Sequence, residues 1–296
     1  MKLLITGVTG FIGQNLVKKL LENEIEVHAI VREESDLSSV DTKVKLFYYD
    51  QDVKKLIDYT KNENFDGIVH LASLFLATHS LDDIFGLINS NITLGVHLLE
   101  AAKESNIKWF INTGTFWQHY NNEEYNPVNL YAATKEAFEV MSKYYIETSD
   151  IIFTTLKLND TFGPEDTRNK VFNLWNEISK TGEILEMSAG EQYIDISYIE
   201  DVVEAYFILI IHLNSSKAKK FHNETFVVTQ EQRMKLKELS IIFEQATETT
   251  LNINWSAREY REREVMSPWN KGKTVPGWKQ QFSLEKAINK TVGKKI

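Results

Sequence analysis

The chain has 296 residues, 43% of them hydrophobic and 25% charged, a composition typical of a soluble globular protein with a substantial core. Its net charge of −9 argues against a general nucleic-acid binder, and the lack of cysteine excludes disulfides, thiolate metal sites and cysteine nucleophiles. No segment approaches the ~20 apolar residues that span a bilayer. We therefore expect a cytoplasmic protein that binds neither nucleic acid nor membrane.

The first half of the chain alternates predicted strands with predicted helices. The strands are Lys2–Thr6, Glu26–Val31, Val44–Tyr49, Gly67–Ala72, Trp109–Thr113 and Ile151–Lys157. The helices are Phe11–Asn23, Val53–Glu63, Asn91–Ser105 and Tyr131–Thr148. This alternation predicts an α/β fold, with a Rossmann-type doubly wound parallel sheet in residues 1–157.

Beyond residue 157 the regular alternation stops. The predicted elements there are the helices Val171–Lys180, Glu200–His212 and Leu236–Ala246 and the strand Thr225–Val228. We expect residues 158–296 to form mainly a smaller, discontinuous C-terminal α/β lobe for substrate, with some segments returning to the first domain. The segment Lys290–Ile296 is predicted to be a frayed tail.

A glycine-rich loop follows the first strand, in the sequence Gly7-x-x-Gly10-x-x-Gly13. Gly7 permits a tight turn, Gly10 lets the backbone approach a pyrophosphate, and Gly13 allows close packing of the following helix. The N-terminus of that helix offers unpaired N–H groups and a positive dipole end to phosphates. The alternative is a strand–turn–helix with incidental glycines, but the position directly after the first strand favours dinucleotide binding.

The end of the second strand indicates which dinucleotide binds. An Asp or Glu there would hydrogen-bond the ribose hydroxyls of NAD, but this strand ends with Val31 and is followed by Arg32. Arg32 can pair with a 2′-phosphate, which favours NADPH/NADP+, unless it is only a solvated surface charge. Asp50, after the third strand, is a candidate for the adenine amino group or a turn-forming residue.

Tyr131 and Lys135 form the motif Tyr-x-x-x-Lys, in which residues one helical turn apart share a face. A nearby ammonium would favour the phenolate and lower the pKa of Tyr131 from its usual ~10, which suits proton transfer. Lys135 can also hydrogen-bond a nicotinamide ribose. Thr115, in a loop after the fifth strand, is positioned to hydrogen-bond a substrate carbonyl.

These residues together resemble the extended short-chain dehydrogenase/reductase family of nucleotide-sugar epimerases, dehydratases and reductases. The resemblance covers nearly the whole chain. It depends on an ordered set: Gly7–Gly13, Asp50, His70-Leu-Ala-Ser73, Asn91-x-x-x-Gly95, Thr115, Tyr131-x-x-x-Lys135, Phe162-Gly-Pro164 and Glu200-Asp-Val202. It implies a Rossmann domain, a lobe for a nucleoside-diphosphate sugar and a homodimer joined through helices such as Leu81–Glu104 and Tyr131–Thr148.

The motifs and the resemblance define three sets of candidate residues, with no metal site. The catalytic candidates are Thr115, Tyr131 and Lys135. The cofactor-binding candidates are Gly7, Thr9, Gly10, Phe11, Ile12, Gly13, Arg32, Asp50, Leu71, Ala72, Ser73, Asn91, Thr113, Tyr131 and Lys135. The substrate-binding candidates are Ser73, Phe75, Thr115, Phe116, Trp117, His119, Tyr131, Asp160, Arg168, Lys170 and Gln192. The alternatives are core packing for Phe75, a helix cap for Asp160, and solvated charge for Arg168 and Lys170.

Within the family, Asn112–His119 and Val275–Trp278 resemble the branch that reduces CDP-4-keto-3,6-dideoxyhexoses, to which CDP-abequose and CDP-paratose synthases belong. Three departures from other branches agree with this resemblance. Epimerases commonly end the second strand with Asp, where this chain has Val31. Many have an Arg before the Asp at 195, where this chain has Ile194. Dehydratases need an acidic pair after the catalytic Thr, where this chain has Phe116 and Trp117.

The sequence therefore predicts an NADPH-dependent 4-ketoreductase that acts on a nucleotide-linked 4-keto-6-deoxyhexose, with a CDP-linked sugar favoured. The resemblance implies a role in deoxysugar biosynthesis for surface polysaccharide such as the O-antigen of lipopolysaccharide. One alternative is a C4 epimerase that retains its NAD(P). A second is a non-catalytic NADP(H)-sensing protein, which the set Thr115, Tyr131 and Lys135 disfavours.

Overall fold

A computed structural model describes residues 1–293. A single eight-stranded sheet organises the chain, and all of its pairings are parallel. Its strands in chain order are β1 (Lys2–Thr6), β2 (Glu26–Val31), β3 (Lys45–Tyr48), β4 (Gly67–His70), β5 (Trp109–Thr115), β6 (Ile152–Leu158), β11 (Glu224–Val227) and β14 (Lys273–Thr274). Their order across the sheet is β14-β11-β6-β5-β4-β1-β2-β3, so the strand order reverses next to β1, as in doubly wound folds.

Helices cover both faces of the sheet. They are α1 (Phe11–Glu22), α2 (Val53–Glu63), α3 (Asp83–Ile88), α4 (Leu94–Glu104), α5 (Leu130–Thr148), α6 (Val171–Thr181), α7 (Ile199–Leu213), α8 (Leu236–Thr247) and α9 (Leu284–Val292). A π-helical segment, Asn89–Thr93, joins α3 to α4, and short 3₁₀ helices lie at Phe116–Gln118, Tyr120–Asn122 and Ala218–Phe221. Among the described residues, no helix is long and apolar enough to cross a bilayer.

The buried residues of β1 show how the two faces are filled. Leu3 and Ile5 belong to a core shared with α1, α7 and the C-terminal part of the chain. Leu4 points to the opposite face, where it belongs to a core shared with α2, α4 and α5. Because side chains alternate along a strand, a strand buried on both faces is apolar throughout, as Leu3–Ile5 is.

The C-terminal lobe contains six small strands outside the main sheet. They are β7 (Asp160–Phe162), β8 (Leu185–Glu186), β9 (Tyr193–Ile194), β10 (Ile196–Tyr198), β12 (Met234–Lys235) and β13 (Ile253–Asn254). They form three two-stranded sheets, β7 with β10, β8 with β13 and β9 with β12. A buried ion pair stabilises this lobe, with Arg233 2.9 Å from the Asp195 carboxylate. Arg233 also donates to the carbonyls of Pro268 and Trp269.

The predicted fold class is confirmed, and the differences lie at element ends and in the short elements. The third strand is shorter than predicted, and the fifth continues to Thr115. The helix predicted to begin at Asn91 is part of a longer helical segment, in which α3 and the π-helical segment precede α4. The prediction of a frayed tail from residue 290 was wrong for Lys290–Val292, which form the end of α9. Residues 294–296 lie outside the described part of the chain. β11 and β14 show that later segments lie in the main sheet, while the boundary at 157 stays a prediction.

Candidate active site

The candidate residues converge on the carboxyl edge of the main sheet. The glycine loop follows β1, the segment Leu71–Ser73 follows β4, and Thr115 ends β5. The N-terminus of α5 brings Tyr131 to the same edge, and Phe75 contacts its ring. Ligands of open parallel sheets bind outside the carboxyl ends of strands, near the point where the strand order reverses.

The three glycines of the loop have different surroundings. Gly7 has φ +77°, and a Cβ there would lie 2.7 Å from the backbone nitrogen of Ala72. A Cβ at Gly13 would lie 2.0 Å from the carbonyl oxygen of Gly7, so close packing requires glycine there. Gly10 is less confined, because its Cβ would meet only the Gly7 carbonyl oxygen, at 3.3 Å. Packing therefore explains Gly7 and Gly13 but does not require glycine at residue 10.

The N-terminus of α1 suits an anionic group. Gly10 is the N-cap residue and has no side chain to accept from the first-turn N–H groups, and that turn contains no acidic residue. Thr6, at the end of β1, accepts a hydrogen bond from the Ala72 N–H (3.0 Å) and bonds the His70 ring (2.8 Å). These contacts hold the glycine loop beside the segment after β4, leaving the first-turn N–H groups for a phosphate.

Lys135 provides a second indication of a ligand. Its side chain is buried, 1% exposed, and among the described residues its Nζ has no hydrogen-bond partner. A buried ammonium without acceptors is costly, so an acceptor from a bound molecule would stabilise it. Together with the glycine loop, this amine fits a nicotinamide dinucleotide, whose pyrophosphate would meet α1 and whose ribose hydroxyls would meet Lys135.

The residues expected at the adenosine end are exposed. The Arg32 side chain is 68% exposed and lies 3.3 Å from the Glu34 carboxylate. Asp50 pairs with Lys55, and the hydrogen bond from this ammonium lowers the pKa of the Asp50 carboxyl. Both side chains are therefore accessible to a ligand, but each already has a partner of opposite charge. Their assigned roles stay predictions.

Ser73 and Thr115 are the polar neighbours of the Tyr131 hydroxyl. Thr115 is 8% exposed, and its hydroxyl also accepts from the N–H of Trp117 at 3.3 Å. Burial raises the pKa of Tyr131 to about 12, although the neighbouring hydroxyls of Ser73 and Thr115 oppose this effect. This direction is opposite to the one predicted from the Tyr131–Lys135 spacing, because burial disfavours the phenolate more than these neighbours favour it. The phenol is therefore protonated at neutral pH, as a proton donor must be.

Lys135 shows the complementary effect. Burial lowers the pKa of its ammonium to about 8, whereas the negative charge of Glu139 raises it.

Asn91 is also buried, and its amide donates to the carbonyl of Leu74 (3.1 Å) and to Thr134 (2.9 Å) while accepting from the Leu74 N–H. Asn91 therefore connects the segment after β4 to α5. Thr113, another cofactor candidate, bonds the hydroxyl of Tyr206 at 2.7 Å.

Aromatic and charged substrate candidates adjoin Tyr131. The ring of Phe75 lies edge-on to Tyr131, with centroids 5.0 Å apart, and 5.4 Å from Trp117. The Lys170 ammonium lies 4.8 Å above the Phe75 ring and 2.7 Å from the Asp160 carboxylate. Phe75 is 43% exposed, so core packing does not explain it. These side chains form a mixed apolar and polar wall beside the phenol.

Other substrate candidates are committed to internal contacts. His119 stacks on Trp269, with centroids 4.0 Å apart, and its Nε2 lies 2.8 Å from the Lys157 ammonium. Burial and this positive charge lower the pKa of His119. Phe116 is 4% exposed and packs edge-on against Trp269. Both residues therefore support the segment after Thr115.

Arg168 and Gln192 lie further along the C-terminal lobe. Arg168 pairs with Asp166 at 2.7 Å, and its guanidinium lies 4.6 Å above the ring of Phe11, in the first turn of α1. Arg168 is therefore close to the glycine loop, but the Asp166 carboxylate already neutralises its charge. Gln192 is 6% exposed, and its Oε1 lacks a hydrogen-bond partner among the described residues.

Sequence reasoning missed several residues around this site. Gln118, Glu139 and Lys157 form a buried polar group next to Thr115 and Lys135. Two signals could have indicated them: Glu139 is one helical turn beyond Lys135, and Lys157 is a charged residue in an otherwise buried strand. Trp269 is distant in the chain and carried no such signal. Arg263 is half-buried, lies 4.3 Å above the Tyr120 ring and bonds Asn126.

One group of possible metal ligands lies away from the site, although the sequence predicted none. Glu26, His28 and Glu63 have donor atoms within 4.8 Å of one another. However, Lys45 lies 2.8 Å from Glu26 and Lys2 lies 2.9 Å from Glu63. Lysine ammonium groups therefore already neutralise these carboxylates, and the cluster is a set of ion pairs.

Comparisons with known proteins agree with this geometry. The model of the NAD dependent epimerase/dehydratase family matches residues 3–228. CDP-abequose synthase from Salmonella muenchen is 28% identical over 99% of this chain and 98% of its own length, and that from Yersinia pseudotuberculosis is 26% identical over 90% and 92%. The UDP-glucose 4-epimerase of Thermotoga maritima, at 21% identity, superposes with a TM-score of 0.86 over 99% of this chain and 98% of its own. The chain therefore belongs to the NAD-dependent epimerase/dehydratase family.

Proposed function

We propose that this protein reduces the 4-keto group of a nucleotide-linked 4-keto-6-deoxyhexose, with NADPH as the reductant. The observation that carries the proposal is the group of Thr115, Ser73 and protonated Tyr131 beside the unpartnered ammonium of Lys135. Such a group can donate hydrogen bonds and one proton to a carbonyl oxygen. The 3₁₀ turn after Thr115 presents Phe116 and Trp117, with no acidic pair for dehydration chemistry.

Each side chain has a distinct role in this reaction. NADPH supplies the hydride for the carbonyl carbon when it is bound. Thr115 donates a hydrogen bond to the carbonyl oxygen and stabilises the negative charge that develops there. Tyr131 donates its proton to the same oxygen, which yields the alcohol. Lys135 hydrogen-bonds the ribose and, as an ammonium, favours the phenolate that Tyr131 leaves behind.

The similarity to CDP-abequose synthases over nearly the whole chain supports a deoxysugar substrate, and among nucleotides it favours CDP. The wall of Phe75 and Trp117 beside Tyr131 agrees with this class, since aromatic rings pack against the apolar faces of sugars. A product of this kind would serve surface polysaccharide synthesis. Arg32, the exposed cation after β2, supports NADPH over NADH.

An epimerase is the second candidate. Solved 4-epimerases share the fold, including the Bacillus cereus UDP-glucuronic acid 4-epimerase in complex with UDP-glucuronic acid and NAD, at 19% identity and TM-score 0.85. An epimerase would retain its dinucleotide through purification and interconvert two sugars without net consumption of NADPH. The two functions therefore differ in the stoichiometry of the dinucleotide.

The test is to follow NADPH absorbance with CDP-, dTDP- and GDP-linked 4-keto-6-deoxyhexoses, with and without a 3-hydroxyl, and to identify products by NMR. We expect one equivalent of NADPH consumed per sugar reduced. Tyr131→Phe should lower turnover by at least ~100-fold and leave NADPH binding nearly unchanged. Tyr145→Phe is the matched control, because this α5 tyrosine bonds Glu100 instead of the site. Full activity of Tyr131→Phe would disprove the assignment.

We also propose that the chain forms a homodimer through α3 and α5. Apolar side chains on these helices are exposed, including Phe85 (75%), Val140 (54%) and Tyr144 (60%). Exposed large apolar side chains on neighbouring helices are typical of protein–protein interfaces. Light scattering should give twice the chain mass, and Phe85→Arg should shift the mass towards that of a single chain. A monomeric wild-type protein would disprove this interface.

A further inference from the structure

A buried polar network lies under the catalytic lysine. It consists of Gln118, His119, Glu139 and Lys157, which we call the Glu139 network. The Glu139 carboxylate accepts from Gln118 Nε2 at 3.0 Å and lies 3.2 Å from Lys157 Nζ. Lys157 Nζ also lies 2.8 Å from His119 Nε2. The Lys157 and Glu139 side chains are only 5% and 16% exposed, so solvent screens these charges weakly.

The backbone fixes Glu139 relative to Lys135. The two residues are four apart on α5 and therefore lie on the same helical face. Gly114 packs against the carboxylate from above, since a Cβ there would lie 2.8 Å from Glu139 Oε1 and 2.7 Å from Lys157 Cγ. The carboxylate consequently has little freedom to turn away.

The same network holds Thr115. Its backbone N–H donates to Gln118 Oε1 at 2.9 Å, while Gln118 Nε2 donates to Glu139 and, at 2.6 Å, to Glu136. Gln118 is 0% exposed, so solvent does not replace these bonds. Gln118 thus joins the backbone of Thr115 to the Glu139 carboxylate, which lies on the helical face of Lys135.

The charges around this position come from four elements. The titratable and charged groups near Lys135 and Glu139 are Tyr131 and Glu136 on α5, His70 on β4, His119 after β5, and Lys157 on β6. Burial and the charge of Lys135 lower the pKa of His70 to about 3, so this ring is neutral. The negative charge of Glu139 raises the pKa of Lys135, whereas burial favours the neutral amine. Burial also raises the pKa of the Glu139 carboxyl, and the Lys157 ammonium and the bond from Gln118 oppose this effect.

We propose that Glu139 is a positioning residue that keeps Lys135 in its ammonium form, ready to bind the ribose of the dinucleotide and to support proton donation by Tyr131. The inference rests on the proposed function only in the role given to Lys135. It assigns Glu139 to the site although its carboxylate contacts Gln118 and Lys157 rather than the reacting groups. Lys157 and Gln118 hold that carboxylate in place.

The test measures NADPH affinity against pH by fluorescence titration, without any sugar. Wild-type affinity should weaken at alkaline pH, as Lys135 loses its proton. We call this alkaline loss of affinity the alkaline limb. In Glu139→Gln its midpoint should move to lower pH by about one pH unit or more, because removal of a nearby negative charge favours the neutral amine of Lys135. The alkaline limb of kcat should move in the same direction.

Two further variants separate charge from structure. Glu139→Asp keeps the negative charge on a side chain that is one methylene shorter. This variant should therefore retain most of the wild-type dependence of NADPH affinity on pH. Glu63→Gln is the matched control, since it removes a carboxylate from an ion pair with Lys2 on β1, away from the site. If Glu139→Gln does not fold, Glu139→Asp should still move the limb in the same direction by a smaller amount. Thermal unfolding of each variant identifies those that are folded.

The outcomes distinguish this inference from the proposed function. A limb that does not move in a folded Glu139 variant, or moves equally in Glu63→Gln, overturns the inference. A wild-type chain that binds NADPH with the expected pH dependence but reduces none of the keto sugars overturns the proposed function alone. If NADH binds more tightly than NADPH, the same titration with NADH gives the same readout. A chain that binds neither dinucleotide overturns both.

Discussion

The glycine loop permits a sharp test, because Gly13 and Gly10 have different surroundings. A Cβ at residue 13 would lie 2.0 Å from the carbonyl oxygen of Gly7 and 2.8 Å from the Cα of Val8. Both are backbone atoms, so no side-chain rotation can relieve the overlap. For Gly13→Ala the start of α1 must move away from the loop by about an ångström, and we expect a loss of about 3 kcal/mol in the free energy of unfolding.

Gly10→Ala should behave in the opposite way. Gly10 has φ −83° and ψ 163°, which any residue adopts, and its Cβ would meet only the Gly7 carbonyl oxygen, at 3.3 Å. As the N-cap residue, it should lose no more than ~1 kcal/mol of stability on substitution by Ala. The added methyl group would lie where a pyrophosphate approaches the backbone, so NADPH affinity should fall at least ~10-fold, or ~1.4 kcal/mol.

Urea unfolding and NADPH fluorescence titration, carried out on both variants, measure the two effects separately. We expect Gly13→Ala to lose stability and Gly10→Ala to lose affinity while remaining folded. Wild-type affinity in Gly10→Ala would refute the placement of a pyrophosphate at this loop. Wild-type stability in Gly13→Ala would refute the steric argument, because the overlap would then have to be absent in solution.

Three further predictions concern cofactor choice, the second lobe and the substrate wall. Arg32→Glu should lower the preference for NADPH over NADH at least ~10-fold, as measured by the ratio of their dissociation constants, since a carboxylate repels a 2′-phosphate; an unchanged ratio would make Arg32 a surface charge. Asp195→Asn should cost about 3 kcal/mol in urea unfolding, because it leaves the half-buried Arg233 guanidinium without its counter-charge; a loss below ~1 kcal/mol would contradict this. Phe75→Ala should raise the KM for the sugar more than it lowers kcat, because the ring adjoins Tyr131 without bonding its hydroxyl; an unchanged KM would place the sugar elsewhere.

The main sheet and the shared helical face of Tyr131 and Lys135 could be predicted because their signals are local. The strands β1, β2 and β4 are short apolar runs, and each is followed by a helix of apolar periodicity or a turn. Tyr131 and Lys135 share a helical face by spacing alone. By contrast, β14 has two residues, too few for any periodic pattern, and joins the sheet only through its pairing with β11.

The electrostatics of the site could not be predicted in the same way. Spacing correctly placed Lys135 on the face of Tyr131, but the pKa of the phenol depends on how completely the chain buries it. That burial comes from residues distant in sequence. Likewise, nothing near His119 indicated that Trp269 would stack on it, because this contact depends on Arg233 binding the carbonyls of residues 268 and 269. Tertiary contacts decide both cases.

The position of β11 has a consequence for biosynthesis. β6 pairs with β5 on one side and with β11 on the other, yet β11 follows β6 only after residues 159–223. At 5–20 residues per second, a ribosome needs roughly 3–13 s to make that stretch. During this interval the nascent sheet has an open, largely apolar edge along β6, which is a template for pairing with other chains. Synthesis of this protein should therefore depend on chaperone cover of the β6 edge until the C-terminal lobe emerges and supplies β11.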